Sequence, residues 1–271
     1  MGIAMTRVGL ALLVLLAALP TAAQVAPGPS APANATSAAA APPADLARRI
    51  IDDVEARMRG KASVGTLEMV IERYHRTLRM DFQEVFPDRS LVRITAPAED
   101  AGVASLKRGH DLWTYNPRID QVQKIPPALM LDAWMGSEFT NDDVSRGSSL
   151  KLDYETGSAE AATRDGVPTW RLVLVPRPDS PVVWEKLVLE VARDDLRPLA
   201  QEFYDERGKL ARVLLFKDFR SMPDGRLYPF VWRMENRQEA GRATEIRVQA
   251  MEFKDGLPDA VFSQRGLKRG R

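Results

Sequence analysis

The sequence predicts a mainly β domain, with some α, built around one large antiparallel sheet. Two observations support this fold class: segments with apolar residues at alternate positions recur along most of the chain, and short turn motifs separate them. Turns such as Arg164-Asp165-Gly166 and Pro223-Asp224-Gly225 suit hairpins and leave no room for the crossover helices of a parallel sheet. A sheet of roughly twelve strands is expected to curl.

The first residues have the three parts of a secretory signal. Arg7 precedes the apolar run 8–19, Pro20 ends that run, and small residues follow up to Ala23. The alternative is a membrane anchor, but a helix of about twelve residues rises only about 18 Å, against a hydrocarbon core of about 30 Å. We therefore expect a signal peptide at 1–23, cleaved after Ala23. Residues 24–43 are uncharged and rich in Ala and Pro, which predicts a disordered tail, and 44–271 fit one domain.

Composition narrows the function classes. The chain has 38 Lys+Arg and 37 Asp+Glu, and removing 1–23 removes one Arg, so the mature chain balances at 37 of each. A nucleic-acid-binding protein would show a basic excess. The absence of Cys excludes disulfides and thiolate metal sites.

The domain begins with a predicted amphipathic helix at 45–59. Leu46, Ile50, Val54 and Met58 fall four residues apart, and Gly60 supplies the stop signal. Strands are predicted beyond it, at 66–74, 78–86, 90–95, 106–115, 119–125, 149–156, 169–176, 184–192, 198–205, 209–219, 227–237 and 243–253.

One segment, 126–148, interrupts the strands. It begins with two prolines and is too apolar for a plain surface loop. Short helices are expected near 127–134 and 140–145, the second with Thr140 as N-cap. Around it stand many apolar and aromatic residues: Trp113, Tyr115, Met130, Leu131, Trp134, Met135, Phe139, Phe216, Phe230 and Trp232. A filled core explains any one of them, whereas a long sheet with few helices and a Met/Leu-rich cover favours an apolar cavity for the set.

A search for catalytic chemistry gives only weak candidates. Enzyme signatures such as G-x-S-x-G, the P-loop and H-E-x-x-H are absent. His75 and His110 are the only histidines and fall in different elements. Three Asp pairs suit a helix face, a helix start and a turn, and Ser137 suits a tight turn better than a nucleophile. We expect no catalytic residue, no metal and no cofactor.

Residues 111–145 resemble the hallmark stretch of the periplasmic outer-membrane lipoprotein-sorting (LolA-like) family. The shared features are a W-x-Y-x-P strand, a strand ending at Ile-Pro, and an MGSxF motif followed by an acidic pair. In this chain they correspond to Trp113, Tyr115, Pro117, Ile125, Pro126, Met135, Gly136, Ser137, Phe139, Asp142 and Asp143. The ending, with Leu257-Pro258-Asp259, Val261-Phe262-Ser263 and Leu267, also looks like that family.

The resemblance implies a LolA-like unclosed antiparallel β half-barrel of about 11–13 strands with helices plugging the concave face. It implies a monomeric periplasmic carrier in a Gram-negative bacterium, binding the acyl chains of a lipid or lipoprotein between an inner-membrane exporter and an outer-membrane acceptor. The expected lid is 127–139, with Met130, Leu131, Trp134, Met135 and Phe139 facing the acyl chains and Gly136 and Ser137 forming its turn. Trp113, Tyr115, Phe230 and Trp232 are expected opposite.

Two further functions fit the same fold. One is a lipid-sensing regulator that binds a membrane signalling partner, and the other is an accessory subunit of an inner-membrane lipid exporter. A hydrolase is a more distant alternative.

Overall fold

The computed structural model describes residues 44–146, 150–178, 180 and 182–269, so the expected signal peptide and tail lie outside the described residues. The helices of the described part are α1 (Ala44–Met58), α2 (Asn141–Arg146), α3 (Leu150–Asp153) and α4 (Gln264–Lys268). Its strands are β1 (Ala62–Ile71), β2 (Arg76–Val85), β3 (Arg89–Ala96), β4 (Ala104–Arg108), β5 (Asp111–Asn116), β6 (Gln121–Lys124), β7 (Tyr154–Arg164), β8 (Val167–Pro176), β9 (Lys186–Ala192), β10 (Pro198–Tyr204), β11 (Leu210–Ser221), β12 (Leu227–Asn236) and β13 (Ala243–Lys254).

All these strands form one antiparallel sheet. Its order is β6-β5-β4-β3-β2-β1-β13-β12-β11-β10-β9-β8-β7, so β1 pairs with β13 at the middle. The edges are β6 and β7, which do not pair with each other. The half-barrel is therefore unclosed, as the sequence predicts. The chain between the two edge strands runs from Ile125 to Asp153, and its described residues include α2 and α3.

One face of the sheet holds the main core, and we call it the inner face. Helix α1 packs here against β7, β12 and α3. Its apolar stripe is buried, with Ile50, Ile51 and Val54 at 0%, 3% and 4% exposure. The stripe packs into one cluster with Met69, Leu78, Leu172, Leu189 and Phe216 of the sheet. The predicted amphipathic helix is confirmed, and burial of the stripe is what holds it in place.

The opposite, outer face is covered near one edge by the C-terminal segment. Phe262 and Leu267 are fully buried against Leu91, Leu106 and Tyr115. On the same face, the Arg93 guanidinium donates hydrogen bonds to the carbonyls of Gly266 and Leu267, at 2.9 and 3.0 Å. This side chain closes the last turn of α4, whose final carbonyls lack helical partners.

Two predicted strands differ from the structure. The expected strand 106–115 is a hairpin of β4 and β5, because Gly109, with φ of 57°, permits a tight turn. The expected strand 149–156 begins as α3, and β7 starts only at Tyr154. Leu150 of α3 is buried in the inner core, so tertiary packing favours the helical turn there.

Candidate functional site

The expected lid, residues 127–139, crosses the inner face as two 3₁₀ turns, the second of them within a loop. The turns span Pro127–Leu129 and Trp134–Gly136, where a short helix near 127–134 was expected. A bridge joins Ala133 to Thr140, and the Trp134 amide donates to the Phe139 carbonyl at 2.8 Å. The loop reverses at Met135 and Gly136, with φ of 53° and 78°. Glycine adopts this left-handed backbone without steric cost, which accounts for the glycine in the motif.

Ser137 stabilises the lid loop from inside. Its hydroxyl donates to the Trp134 carbonyl at 2.7 Å and accepts from the Phe139 amide at 3.1 Å. The residue is 1% exposed. Both hydrogen-bonding functions of the hydroxyl are used within the loop, so the structure supports the turn role and gives no geometry for a nucleophile.

Two hydrogen bonds join the lid to the sheet beneath it. The Trp134 indole Nε1 donates to Ser105 Oγ of β4 at 3.0 Å, and the Glu138 amide donates to Thr244 Oγ1 of β13 at 2.9 Å. The Glu138 carboxylate is buried and accepts from Arg242 Nε at 2.9 Å and Asn236 Nδ2 at 3.2 Å. These bonds connect the lid to strands from both sides of the sheet centre.

Arg212 of β11 holds both the end of the lid and the start of α2. Its guanidinium donates to both carboxylate oxygens of Asp143, at 2.7 and 2.8 Å, and to the Glu138 carbonyl at 2.9 Å. Its charge also lies over the rings of Trp184 and Phe203, 4.4 and 4.6 Å from their centroids. Because Arg212 is only 5% exposed, this paired charge is desolvated and its geometry is tightly defined.

Helix α2 begins where the lid ends. Thr140 is its N-cap, as predicted: the Asp143 amide donates to Thr140 Oγ1 at 3.3 Å, and the Thr140 amide donates to Asp143 Oδ2 at 2.7 Å. Asp143 therefore serves both the helix start and the Arg212 pair. Asp143, the second residue of the acidic pair that follows the MGSxF motif, therefore has a structural role.

An apolar cavity of about 230 Å³ lies between the lid and the inner face. Its floor comes from β1–β3, β12 and β13, and its roof from the end of α1, the lid and α2. The lining residues are Met58, Arg59, Leu67, Phe82, Gln83, Glu84, Ser90, Val92, Trp134, Phe139, Asp143, Val144, Tyr228, Trp232, Ile246 and Val248. The cavity walls are mostly aliphatic and aromatic, with a few polar groups, as in sites that hold apolar ligands.

Buried polar groups near the cavity have shifted pKa values. Burial lowers the pKa of Lys107 from 10.5 to about 8, and its Nζ donates to the Pro87 carbonyl at 2.5 Å. Burial also raises the pKa of Tyr228, so its hydroxyl stays protonated in the physiological range. Alternation along β4 places Lys107 on the same face as Ser105.

The cavity brings together three of the nine predicted cavity residues: Trp134, Phe139 and Trp232. Phe230 packs next to it, in a cluster with Tyr228, Val248 and Phe253. Met130 is buried at 7% exposure, and Met135 packs against the inner core, but neither lines the cavity. Leu131 does not line this cavity: its side chain is 55% exposed and lines a separate cleft beside Phe139 and Arg212.

Trp113 and Tyr115 lie on the other face of the sheet, which corrects their predicted place opposite the lid. Ser105 faces the lid, so its neighbours Ala104 and Leu106 point outward; these pair with Tyr115 and Trp113. Both aromatic residues pack with the outer cluster under the C-terminal segment. The physical reason is strand register: a shift of one residue moves every side chain of a strand to the opposite face.

Sequence reasoning missed the cavity residues Arg59 and Tyr228 and the lid partners Arg212, Glu138 and Ser105. Arg212 and Ser105 are single polar residues in strands far from the lid in sequence, and no local pattern marks them. Tyr228 stands in the apolar run Tyr228-Pro229-Phe230-Val231-Trp232, which indicates burial but not what the hydroxyl meets.

Within the described ranges, none of the helices is long and apolar enough to cross a membrane. The same part of the chain contains no group of three or more His, Cys, Asp or Glu side chains placed to hold a metal ion.

Solved structures share this architecture. A domain from Vibrio parahaemolyticus described as an outer membrane lipoprotein-sorting protein aligns with a TM-score of 0.73 and 27% identity, over 83% of this chain and 100% of that one. A DUF1329 family protein from Desulfovibrio piger aligns at 0.74 and 22%, over 83% and 99% of the two chains. A LolA superfamily protein from Nitrosomonas europaea aligns at 0.68 and 23%, over 81% and 98%.

These likenesses confirm the resemblance seen in the MGSxF region: the chain has the LolA-like half-barrel fold. At the level of family, a model described as an uncharacterized protein matches residues 87–269, more than half of the chain, and the chain belongs to that family. No curated protein matches it by sequence.

Proposed function

We propose that this protein is a periplasmic carrier that binds acyl chains of a lipid or lipoprotein in transit to the outer membrane. The observation that carries the proposal is the apolar cavity between the inner face and a lid held by a few specific polar contacts. The likeness to a domain described as lipoprotein-sorting supports it. An acyl chain in water costs about 0.8 kcal/mol per methylene group, or about 12 kcal/mol for a sixteen-carbon chain, so a carrier needs a dry container.

We infer that the lid moves when a long acyl chain binds, because the cavity, which is partly open to solvent, is too small to enclose one. If a methylene group occupies about 30 Å³, the volume of a water molecule, the cavity of about 230 Å³ holds about eight such groups. A sixteen-carbon chain needs about twice that space. In this proposal the structure is therefore the closed state, and entry of the cargo displaces the lid. The hydrogen bonds of Trp134, Glu138 and Arg212 determine the free energy needed to open it.

The location of the protein follows from the same proposal. A signal peptide at 1–23 directs export, the mature chain begins at Gln24, the tail spans 24–43, and 44–271 form the lipid-binding domain. N-terminal sequencing of protein released by osmotic shock should begin at Gln24. Retention of Met1 in the membrane fraction would contradict export by cleavage.

A binding assay with lid variants tests the carrier function. Trp134→Ala removes an apolar wall of the cavity and the bond to Ser105, so it should keep the fold and weaken acyl binding severalfold, measured by displacement of a fluorescent fatty acid. Glu160→Lys, at an exposed position of β7, is the matched control and should bind as wild type. Wild-type protein that binds no acyl ligand would overturn the proposal and leave the regulatory function in its place.

A further inference from the structure

The Tyr228 hydroxyl on the cavity wall makes no hydrogen bond with the described residues and is accessible from the cavity. Tyr228 is 7% exposed and lines the cavity. Its ring packs among Phe230, Trp232 and Phe253, with centroids 6.2, 6.2 and 6.0 Å away. Yet within the described residues its hydroxyl takes part in no hydrogen bond. A hydroxyl on a mostly apolar wall with no protein partner is available to hydrogen-bond a ligand in the cavity.

Arg59 brings a loosely held positive charge to the same wall. It follows the last residue of α1 and stacks on Phe86, with its guanidinium carbon 4.4 Å from the ring centroid. Within the described part of the chain its one ionic contact is a 3.5 Å approach to Glu84, which also lines the cavity. Several of its N–H groups are therefore available to a ligand.

These two residues supply the donors that an acyl head group needs. Tyr228, Arg59 and Glu84 line the same cavity, and Arg59 approaches Glu84 at 3.5 Å. Burial keeps the phenol protonated, so it acts as a donor, and the guanidinium has donors alone. Their natural complement is an acceptor oxygen at the end of an apolar chain.

We propose that Tyr228 and Arg59 bind the carboxylate or ester oxygens of the acyl chain that fills the cavity. The inference rests on the acyl-binding function above and adds to it a defined polar anchor and an orientation. The oxygen end of the chain lies at Tyr228 and Arg59, and the hydrocarbon runs along Leu67, Phe82 and Val92 toward the lid residues Trp134 and Phe139. A single chain is thereby held in one direction.

Calorimetry with ten-carbon ligands tests the anchor, because a ten-carbon chain is close in size to the partly open cavity. Wild-type protein should bind decanoate or methyl decanoate, and acetate should not compete. Tyr228→Phe removes only the hydroxyl, so the dissociation constant should rise about tenfold, the loss expected for one hydrogen bond to a charged acceptor. Tyr204→Phe is the matched control, since that hydroxyl donates to Glu202 outside the cavity.

The variant Arg59→Met tests whether the bound oxygen belongs to a free carboxylate or to an ester. If the anchor holds a free carboxylate, this variant should lose affinity for decanoate and leave methyl decanoate little changed. If it holds an ester, Tyr228→Phe should weaken both ligands equally. Tyr228→Phe should also melt no lower than wild type, because no protein hydrogen bond is lost.

A failure of the acyl-binding function can be distinguished from a failure of the anchor. Wild-type protein that binds neither ligand overturns the acyl-binding function itself. Unchanged affinity of Tyr228→Phe for both ligands overturns the anchor and leaves acyl binding standing. A clear fall in the melting temperature of Tyr228→Phe would show that the hydroxyl has a structural partner and would also overturn the anchor.

Discussion

Breaking the pair between Arg212 and Asp143 should destabilise the protein and free the lid. Asp143→Ala leaves the Arg212 guanidinium, at 5% exposure and between Trp184 and Phe203, without its carboxylate. Removing one partner of a buried ion pair costs about 3–5 kcal/mol. The variant also loses the acceptor for the Thr140 amide at the start of α2, a further cost of about 1 kcal/mol.

Arg212→Met should cost less, because Asp143 keeps its hydrogen bonds to Thr140 and methionine fills the space between the two rings. Urea denaturation of the single and double variants gives the coupling energy, which should be at least about 2 kcal/mol. A coupling energy near zero would refute the assignment of Arg212 as a lid attachment. Removing the exposed pair Arg177–Glu155 is the control and should change stability little.

The same variants report on function. If the pair holds the lid closed, Asp143→Ala and Arg212→Met should exchange bound acyl ligand faster than wild type, measured by stopped-flow displacement. If the folded variants exchange ligand at the wild-type rate, the ion pair does not control ligand release, and the interpretation of the structure as a closed state is contradicted.

Three further predictions follow from the packing and the shifted pKa of Lys107. Ile50→Asp places an unpaired charge in the inner core, where Ile50 is fully buried, and should lower the free energy of unfolding by several kcal/mol in a urea titration; an unchanged midpoint would show that α1 is not packed there. Phe262→Ala should cost about 3–5 kcal/mol by the same assay, because this side chain is fully buried on the outer face; an equal stability would mean that the C-terminal segment detaches freely. Because the pKa of Lys107 is lowered to about 8 in the folded protein, the folded state releases this proton before the unfolded state does, and stability should rise with pH. Between pH 7 and pH 10 the free energy of unfolding of the wild type should rise by about 2 kcal/mol relative to that of Lys107→Met. The same dependence of stability on pH in both proteins would contradict the lowered pKa of Lys107.

Local patterns in the sequence predict much of this fold. The four-residue spacing of Leu46, Ile50, Val54 and Met58 identifies α1, and the turn motifs identify most hairpins. Gly136 in the MGSxF motif marks the sharp turn of the lid. In each case the determining interaction is close in sequence, through helix periodicity, turn chemistry or a helix cap.

The parts that sequence does not predict depend on contacts between distant residues. Alternation along β5 divides its side chains between two faces but does not show which face is the inner one. The prediction that Trp113 and Tyr115 face the lid is wrong for this reason. Leu131 lies between the two 3₁₀ turns of the lid, where no periodic pattern indicates which way a side chain points. Arg212 reaches Asp143 across 69 positions of sequence, and no local pattern relates the two.

The most direct test of the carrier function is native mass spectrometry, with organic extraction, of the protein purified from its own periplasm. The account predicts a bound species with at least one acyl chain, present in wild type and reduced in Tyr228→Phe and Trp134→Ala. Wild-type protein at its bare polypeptide mass, with no acyl compound in the extract, would contradict it.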